Sequence, residues 1–445
     1  MKAVKLSLVI LAAALLTIGL SGMAYAFHSG GVAECEGCHT MHNSYENKVM
    51  TTAFPQFQAG PYLLKGADQS STCIECHGET PTGSSYHIVT PDASMPAGTA
   101  PGNYTPGGDF GWLKKTYTWI PRSGAATETS LGERKGHNVI AADFGYVQDA
   151  ANTVAPGGTY PAANLGCQSC HDPHGKYRRL DNTNNFVSTG KPIYASGSYY
   201  NAKNGFTANE PTTWGAVGTY RLLGGTNYAP KSYPNSPFTN NVPVAKVNST
   251  YQNSAGEAST QFRVAYGSGM SEWCANCHNA MHNDSYTSGT SALRHPAGDG
   301  AKLTNVAANY NVYVKSGDMT GSQATAGNTL IPWETGDTTF TIGFAQLAVN
   351  TPTFAGPGVS GNVQCLSCHR PHASGWNSML RFPYGNEFMT VADSAGTPLY
   401  PSPSTNPAQA MGRQTAEFQA GLYNRPVTQF APYQRVLCNK CHAKD

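Results

Sequence analysis

The chain has 445 residues, and its 28 Lys+Arg against 26 Asp+Glu give a formal charge of +2, which offers no electrostatic footprint for nucleic acid. Charged residues are 12% of the chain, about half the usual share, yet 24 Tyr, 16 Phe and 6 Trp at near-zero net charge exclude a disordered tail. The 48 Gly and 29 Pro predict loops and turns in place of long regular elements, and leave 12 Cys and 14 His to be explained.

In chain order, the first element is a leader. Lys2 and Lys5, the apolar run 6–20 and Ala24-Tyr25-Ala26 have the three parts of a secretory signal peptide. The expected organisation is a leader, 1–26, and one mature unit, 27–445. The run is shorter than the roughly 18 residues a membrane span needs, and no second long apolar run follows. No Cys precedes Cys35 as a lipid attachment point, so the mature chain is expected to be exported without a membrane span. Removing the leader balances the side-chain charges, which suits a protein that associates with copies of itself.

In an exported chain the first hypothesis for 12 Cys is disulfides, but the spacing argues against them. Every Cys belongs to one of six Cys-x-x-Cys-His units: Cys35/Cys38/His39, Cys73/Cys76/His77, Cys167/Cys170/His171, Cys274/Cys277/His278, Cys365/Cys368/His369 and Cys438/Cys441/His442. Neither a disulfide framework nor a zinc site demands His after each second Cys. The pattern is that of c-type heme attachment: two thiols form thioethers and the His binds iron from the proximal side. Six heme c groups are therefore expected. At roughly 70 residues per heme the mature chain is too short for six separate domains, so the hemes must share one unit and lie close together.

The other histidines decide what the irons can do. His28, His42, His87, His137, His174, His282, His295 and His372 are eight candidates for six distal positions, enough to make every iron six-coordinate. His42, His174 and His372 follow a proximal His by three residues and His282 follows one by four. Such a residue starts on the proximal side of its own ring and must reach another heme, so it clamps two hemes as neighbours, with Pro173 and Pro371 stiffening two of the links. His87, His137 and His295 lie in loops, the last two in Gly- or Pro-bearing turns that suit ligand presentation. The preferred distal set is His42, His87, His137, His174, His295 and His372. His28, near the mature terminus, and His282, with its different offset, are held in reserve.

The motifs are unevenly spaced, so no solenoid period exists. Residues 301–317 carry Leu303, Val306, Tyr310 and Val314 at helical spacing, 411–422 carry Phe418 and Leu422 likewise, and 339–344 alternate as a short strand. Segments 180–262 and 319–362 hold no Cys or His and read as irregular loops with small hairpins. The fold class expected is a multiheme cytochrome c: mostly coil with short helices and few short strands, wrapped around a continuous chain of six hemes.

The stretches 27–44, 105–112, 132–138, 169–179, 263–278, 293–298 and 431–445 resemble the filament-forming outer-surface hexaheme cytochromes of dissimilatory metal-reducing bacteria. The resemblance implies an extracellular electron-transfer protein and not an enzyme. It implies subunits polymerised end to end, with electrons received from other c-type cytochromes and delivered to external Fe(III) oxides or electrodes. It also implies that His42 ligates the iron attached at Cys365/Cys368/His369 of the neighbouring subunit. Two alternatives share many features: a monomeric periplasmic or cell-surface shuttle, and a multiheme small-molecule reductase, which would need an open iron.

Overall fold

Short turns, helices of a few residues and paired strands make up the fold, as a chain this rich in Gly and Pro requires. The computed structural model describes residues 35–45, 48–78, 87–174, 177–179, 186–188, 217–218, 220–247, 264–283, 295–326, 331–338 and 355–442. The leader, His28 and the strand expected over 339–344 lie outside them.

Among the described residues the α-helices are α1 (Cys35–Cys38), α2 (Gln69–His77), α3 (Met270–His278), α4 (Ala307–Val312), α5 (Cys365–Cys368), α6 (Pro407–Ala410) and α7 (Thr415–Gly421). The two longest, α2 and α3, have nine residues each and both end on the proximal His of a motif. Asp68 caps α2, its carboxylate accepting from Ser71 N. The described strands are no longer than five residues and pair as antiparallel ribbons of two or three strands, among them Tyr117–Trp119 with Glu128–Ser130 and Val244–Val247 with Val264–Ser268. The last pair is a ribbon reaching into the loop expected over 180–262. No helix of the described residues is long and apolar enough to cross a membrane.

Of the two helices expected from periodicity, each forms over a shorter span. The first is α4: Leu303 and Tyr310 are buried as expected, but the backbone turns extended at Tyr313, which buries that ring and leaves Val314 exposed. The second is α7, which buries Phe418 and Leu422 completely; left-handed Met411 and Gly412 separate it from α6.

The apolar core is divided. The largest cluster gathers Leu303, Tyr310, Trp333, Trp376, Phe418 and Leu437, and a second gathers Tyr220, Val244, Tyr266, Met270 and Leu366. Buried polar hubs join the pieces. Asp109 accepts from Thr90 N (3.0 Å), Thr90 Oγ1 (2.5 Å), Asn103 N (3.1 Å), Asn103 Nδ2 (2.9 Å) and Gly111 N (2.7 Å). Fully buried Arg413 donates to Gly375 O (3.0 and 2.7 Å) and Met411 O (2.8 Å) and stacks between Tyr117 and Trp376.

Candidate heme-binding row

Three of the six motifs share one backbone device. Tyr62-Leu63, Arg221-Leu222 and Ser378-Met379 are consecutive residues in the left-handed region, with φ between 51° and 58°. The first carbonyl of each pair accepts from a proximal imidazole Nδ1: His39 to Tyr62 O (3.0 Å), His171 to Arg221 O (2.6 Å) and His369 to Ser378 O (2.7 Å). The second carbonyl accepts from the residue after that His, through Thr40 N (2.7 Å), Asp172 N (2.7 Å) and Arg370 N (2.8 Å). The chain then donates back to the second Cys of the motif, through Lys65 N to Cys38 O, Gly224 N to Cys170 O and Arg381 N to Cys368 O. His278 Nδ1 has the same kind of partner in Pro156 O (2.8 Å). A proton fixed on Nδ1 leaves the Nε2 lone pair free, which is the tautomer a metal takes.

A second device joins motifs in pairs. Ser70, three residues before Cys73, accepts from Cys167 N (3.1 Å), and Ser271, three before Cys274, accepts from Cys365 N (2.9 Å). Ser169 and Ser367, within the third and fifth motifs, accept from Gly166 N (2.9 Å) and Gln364 N (3.1 Å). The Cys73 and Cys167 side chains lie against each other, as do those of Cys274 and Cys365. Cys38 neighbours Cys73, Cys170 neighbours Cys277, and Cys368 neighbours Cys438 and Cys441. The motifs therefore follow one another in space in the order they have in sequence. In the attached form these sulfurs are thioethers.

Cys76, the second cysteine of the second motif, falls on α2. It is exposed, as is Cys438, whereas the other described cysteines are partly covered. The cause in Cys76 is the face of α2 on which it falls. The helix packs inward through Ser70, Ser71 and Ile74, which leaves Glu75 and Cys76 on its outer side.

The imidazoles meet across motifs. Ring centroids are 6.5 Å apart for His39 and His174, 5.9 Å for His137 and His278, 6.4 Å for His171 and His372, and 6.1 Å for His295 and His442. Two imidazole nitrogens each about 2 Å from one metal place the centroids about 6 Å apart, so each pair has room for one iron. Each joins a proximal His to one of the expected distal set; His174 reaches the first motif from the third and His372 the third from the fifth, so each link skips one motif of the row and does not clamp the adjacent pair that was expected. Burial holds His137 and His171 down to about 4 and His372 to about 3, so all three are neutral imidazoles at physiological pH. At the last motif a cavity of about 460 Å³ opens between Glu387, Arg435, Cys438 and His442. The residues present fit heme.

His372 is held from both sides: its N donates to Gly107 O (2.6 Å), its O accepts from His137 N (2.9 Å), and Ser374 N donates to Lys135 O (2.9 Å). At Gly108, with φ +98°, a Cβ would overlap the Ala373 carbonyl oxygen. The segments around Gly107 and Gly136, far apart in sequence, thus close on one ligand-bearing strand.

Four candidate ligands stand outside these pairs. His42 is exposed, yet its backbone is pinned, with Phe57 N donating to His42 O (2.7 Å) and buried Asn43 donating to Thr51 O (2.9 Å) and Phe54 O (2.8 Å). His87 lies beside its own motif, because Ile88 N donates to His77 O (2.8 Å). That bond brings the two Cα atoms within about 8 Å, whereas ligands on opposite faces of one iron need about 12 Å, so His87 cannot complete the iron of His77. His282 Nε2 is 3.5 Å from Glu272 Oε1 and lies near Cys365. His28 is outside the described residues.

A coil-rich fold carrying its histidines on Cys-x-x-Cys-His motifs defines the class as a c-type cytochrome, with covalently bound heme. No family model matches the chain. It is 55% identical over 449 residues to the C-type cytochrome OmcS of Geobacter sulfurreducens, with all of both chains covered. Two solved structures, of the OmcS nanowires and of the outer membrane cytochrome S filament from that organism, match with TM-scores of 0.84 and 0.83 at 55% and 54% identity, covering 94% of this chain and all of theirs. The chain belongs to the OmcS family of c-type cytochromes.

Proposed function

We propose that this protein is an extracellular electron carrier that holds six bis-histidine hemes in one row and continues that row from subunit to subunit in a filament. The observation that carries the reading is the set of four cross-motif imidazole pairs at iron-spanning separations. When bound, heme supplies one-electron chemistry. The chain's own residues attach it, fix the Nε2 lone pairs towards it and keep small molecules from its sixth position. Occupied sixth positions favour electron transfer over the reductase alternative, and the sequential contact of the motifs favours a continuous row. Cys76 keeps its role as the second attachment point of its motif, because it stands three residues after Cys73 on one helix and a thioether needs no burial.

For the iron of His369 we assign His42 of the neighbouring subunit. Its ring is exposed on a pinned backbone, exposed Met41 and Phe57 flank it, and the relative with 55% identity forms filaments. For the iron of His77 we assign His28, since His87 is too close to His77 and His282 lies by Cys365, three motifs further along the row. Export depends on the leader 1–26, the outer surface is the working location, and the acceptors are external, such as Fe(III) oxides or electrodes.

Mass spectrometry and electron paramagnetic resonance of the exported protein test this reading. The expected result is a chain beginning at Phe27 with six hemes, low-spin throughout in filaments. A mainly high-spin spectrum would instead support the reductase, and monomers under the electron microscope would support the shuttle.

A further inference from the structure

One buried acid has no part in heme attachment. Glu334 is 0% exposed. Its Oε1 accepts from Met270 N (2.8 Å) at the start of α3, while Oε2 accepts no hydrogen bond of normal geometry, although the Asn362 amide faces it. Its backbone pairs with Asn362, through Glu334 N to Asn362 O (3.0 Å) and Asn362 N to Glu334 O (2.8 Å), and bridges to Tyr266. Cys274 follows Met270 by four residues and Cys365 follows Asn362 by three, so the carboxyl lies within about 15 Å of two consecutive heme attachments.

The groups facing it are acidic or already engaged. Glu272 on α3 and Asp299 on the adjoining loop add negative charge, and Lys302 donates to Asn362 Oδ1 (2.7 Å). Burial, reinforced by those two carboxylates, pushes the Glu334 carboxyl up to about 8. Glu272 is half-buried and its Oε1 accepts from Asp299 N (2.7 Å), and Asp299 is exposed.

We infer that Glu334 is a redox-linked proton site, binding a proton from solvent when the hemes attached at Cys274 and Cys365 are reduced and releasing it when they are reoxidised. This rests on the electron-transfer reading. Each electron arrives from the preceding carrier and converts Fe(III) to Fe(II). The accompanying proton comes from solvent and converts the carboxylate to the carboxylic acid, and both leave on reoxidation. Added negative charge on the iron raises the proton affinity of a nearby buried carboxylate, so the reduced form binds more protons and the midpoint potential falls as pH rises.

The test is a spectroscopic redox titration of the assembled holoprotein from about pH 6 to about pH 9, wild type against Glu334→Gln. Gln keeps an acceptor for Met270 N and removes the titration. The expected result is that the midpoint of two hemes falls with pH in the wild type and that this fall is absent in Glu334→Gln, with heme content unchanged. An equal pH dependence in both overturns the proposal while leaving electron transfer intact, whereas hemes that fail to cycle at all would overturn the functional reading. Redox-difference infrared spectra of wild-type protein carrying ¹³C-labelled glutamate need no variant: an isotope-shifted carboxylic acid band should grow on reduction, and its absence overturns the proposal.

Discussion

Histidine chemistry depends here on where each backbone is pinned. A His three residues past a proximal His cannot turn back to its own iron, and the His171–His372 and His39–His174 pairs obey that constraint. The same reasoning separates His28 from His87. His28→Ala should convert one of six low-spin irons to high-spin, read by electron paramagnetic resonance, while His87→Ala should leave the low-spin signal whole; the reverse result would return His87 to the ligand set. The six Cys-x-x-Cys-His units were legible because the pattern is local. That pattern carries no information on burial, so the outward side of α2 at Cys76 was not legible. Distal pairing was not legible either, since His137 and His278 meet only through tertiary contacts. The preference for His87 over His28 relied on position in the chain, and the bond from Ile88 N to His77 O changes that argument.

At the level of elements, left-handed turns do work that regular secondary structure does elsewhere. Ser378 adopts φ +57° on an exposed turn, and its carbonyl holds the His369 imidazole. Ser378→Gly should relieve the strain and raise stability by about 1 kcal/mol, and Ser378→Pro should lower it, both read from thermal unfolding. Gly108→Ala should cost more than about 2 kcal/mol and disturb ligation by His372, because the Ala373 carbonyl has no room to give. Some of this architecture had a sequence signal that spacing alone did not expose. Ser70 and Ser271 stand at the same offset before Cys73 and Cys274, and Ser169 and Ser367 at the same place inside their motifs. The helices over 301–317 and 411–422 shrank because Tyr313 turns extended and Met411-Gly412 turns left-handed, neither of which apolar periodicity records.

Across the whole molecule, apolar clusters of modest size are tied together by buried polar hubs, and the attachment motifs follow one another in a row. Loss of a hub should therefore loosen the unit as a whole. Asp109→Ala strands several buried donors and should cost about 3 kcal/mol, lowering the unfolding midpoint without changing heme number. Coil-rich character and low charge were readable from composition. Continuity of the row was expected from the Cys-x-x-Cys-His-x-x-His links, whereas the order of the motifs along it depends on contacts such as Cys170 with Cys277 that span more than a hundred residues. In the proposed assignment the row passes from subunit to subunit through His42, so His42→Ala should keep six hemes per chain while filaments fail to form, as seen by electron microscopy. The most direct test is a cryo-electron microscopy map of the holoprotein at a resolution that shows axial ligands. Filaments are expected in which His42 of one subunit reaches the iron held by His369 of the next; isolated subunits, or that iron completed by a histidine of its own chain, would contradict the inter-subunit ligand.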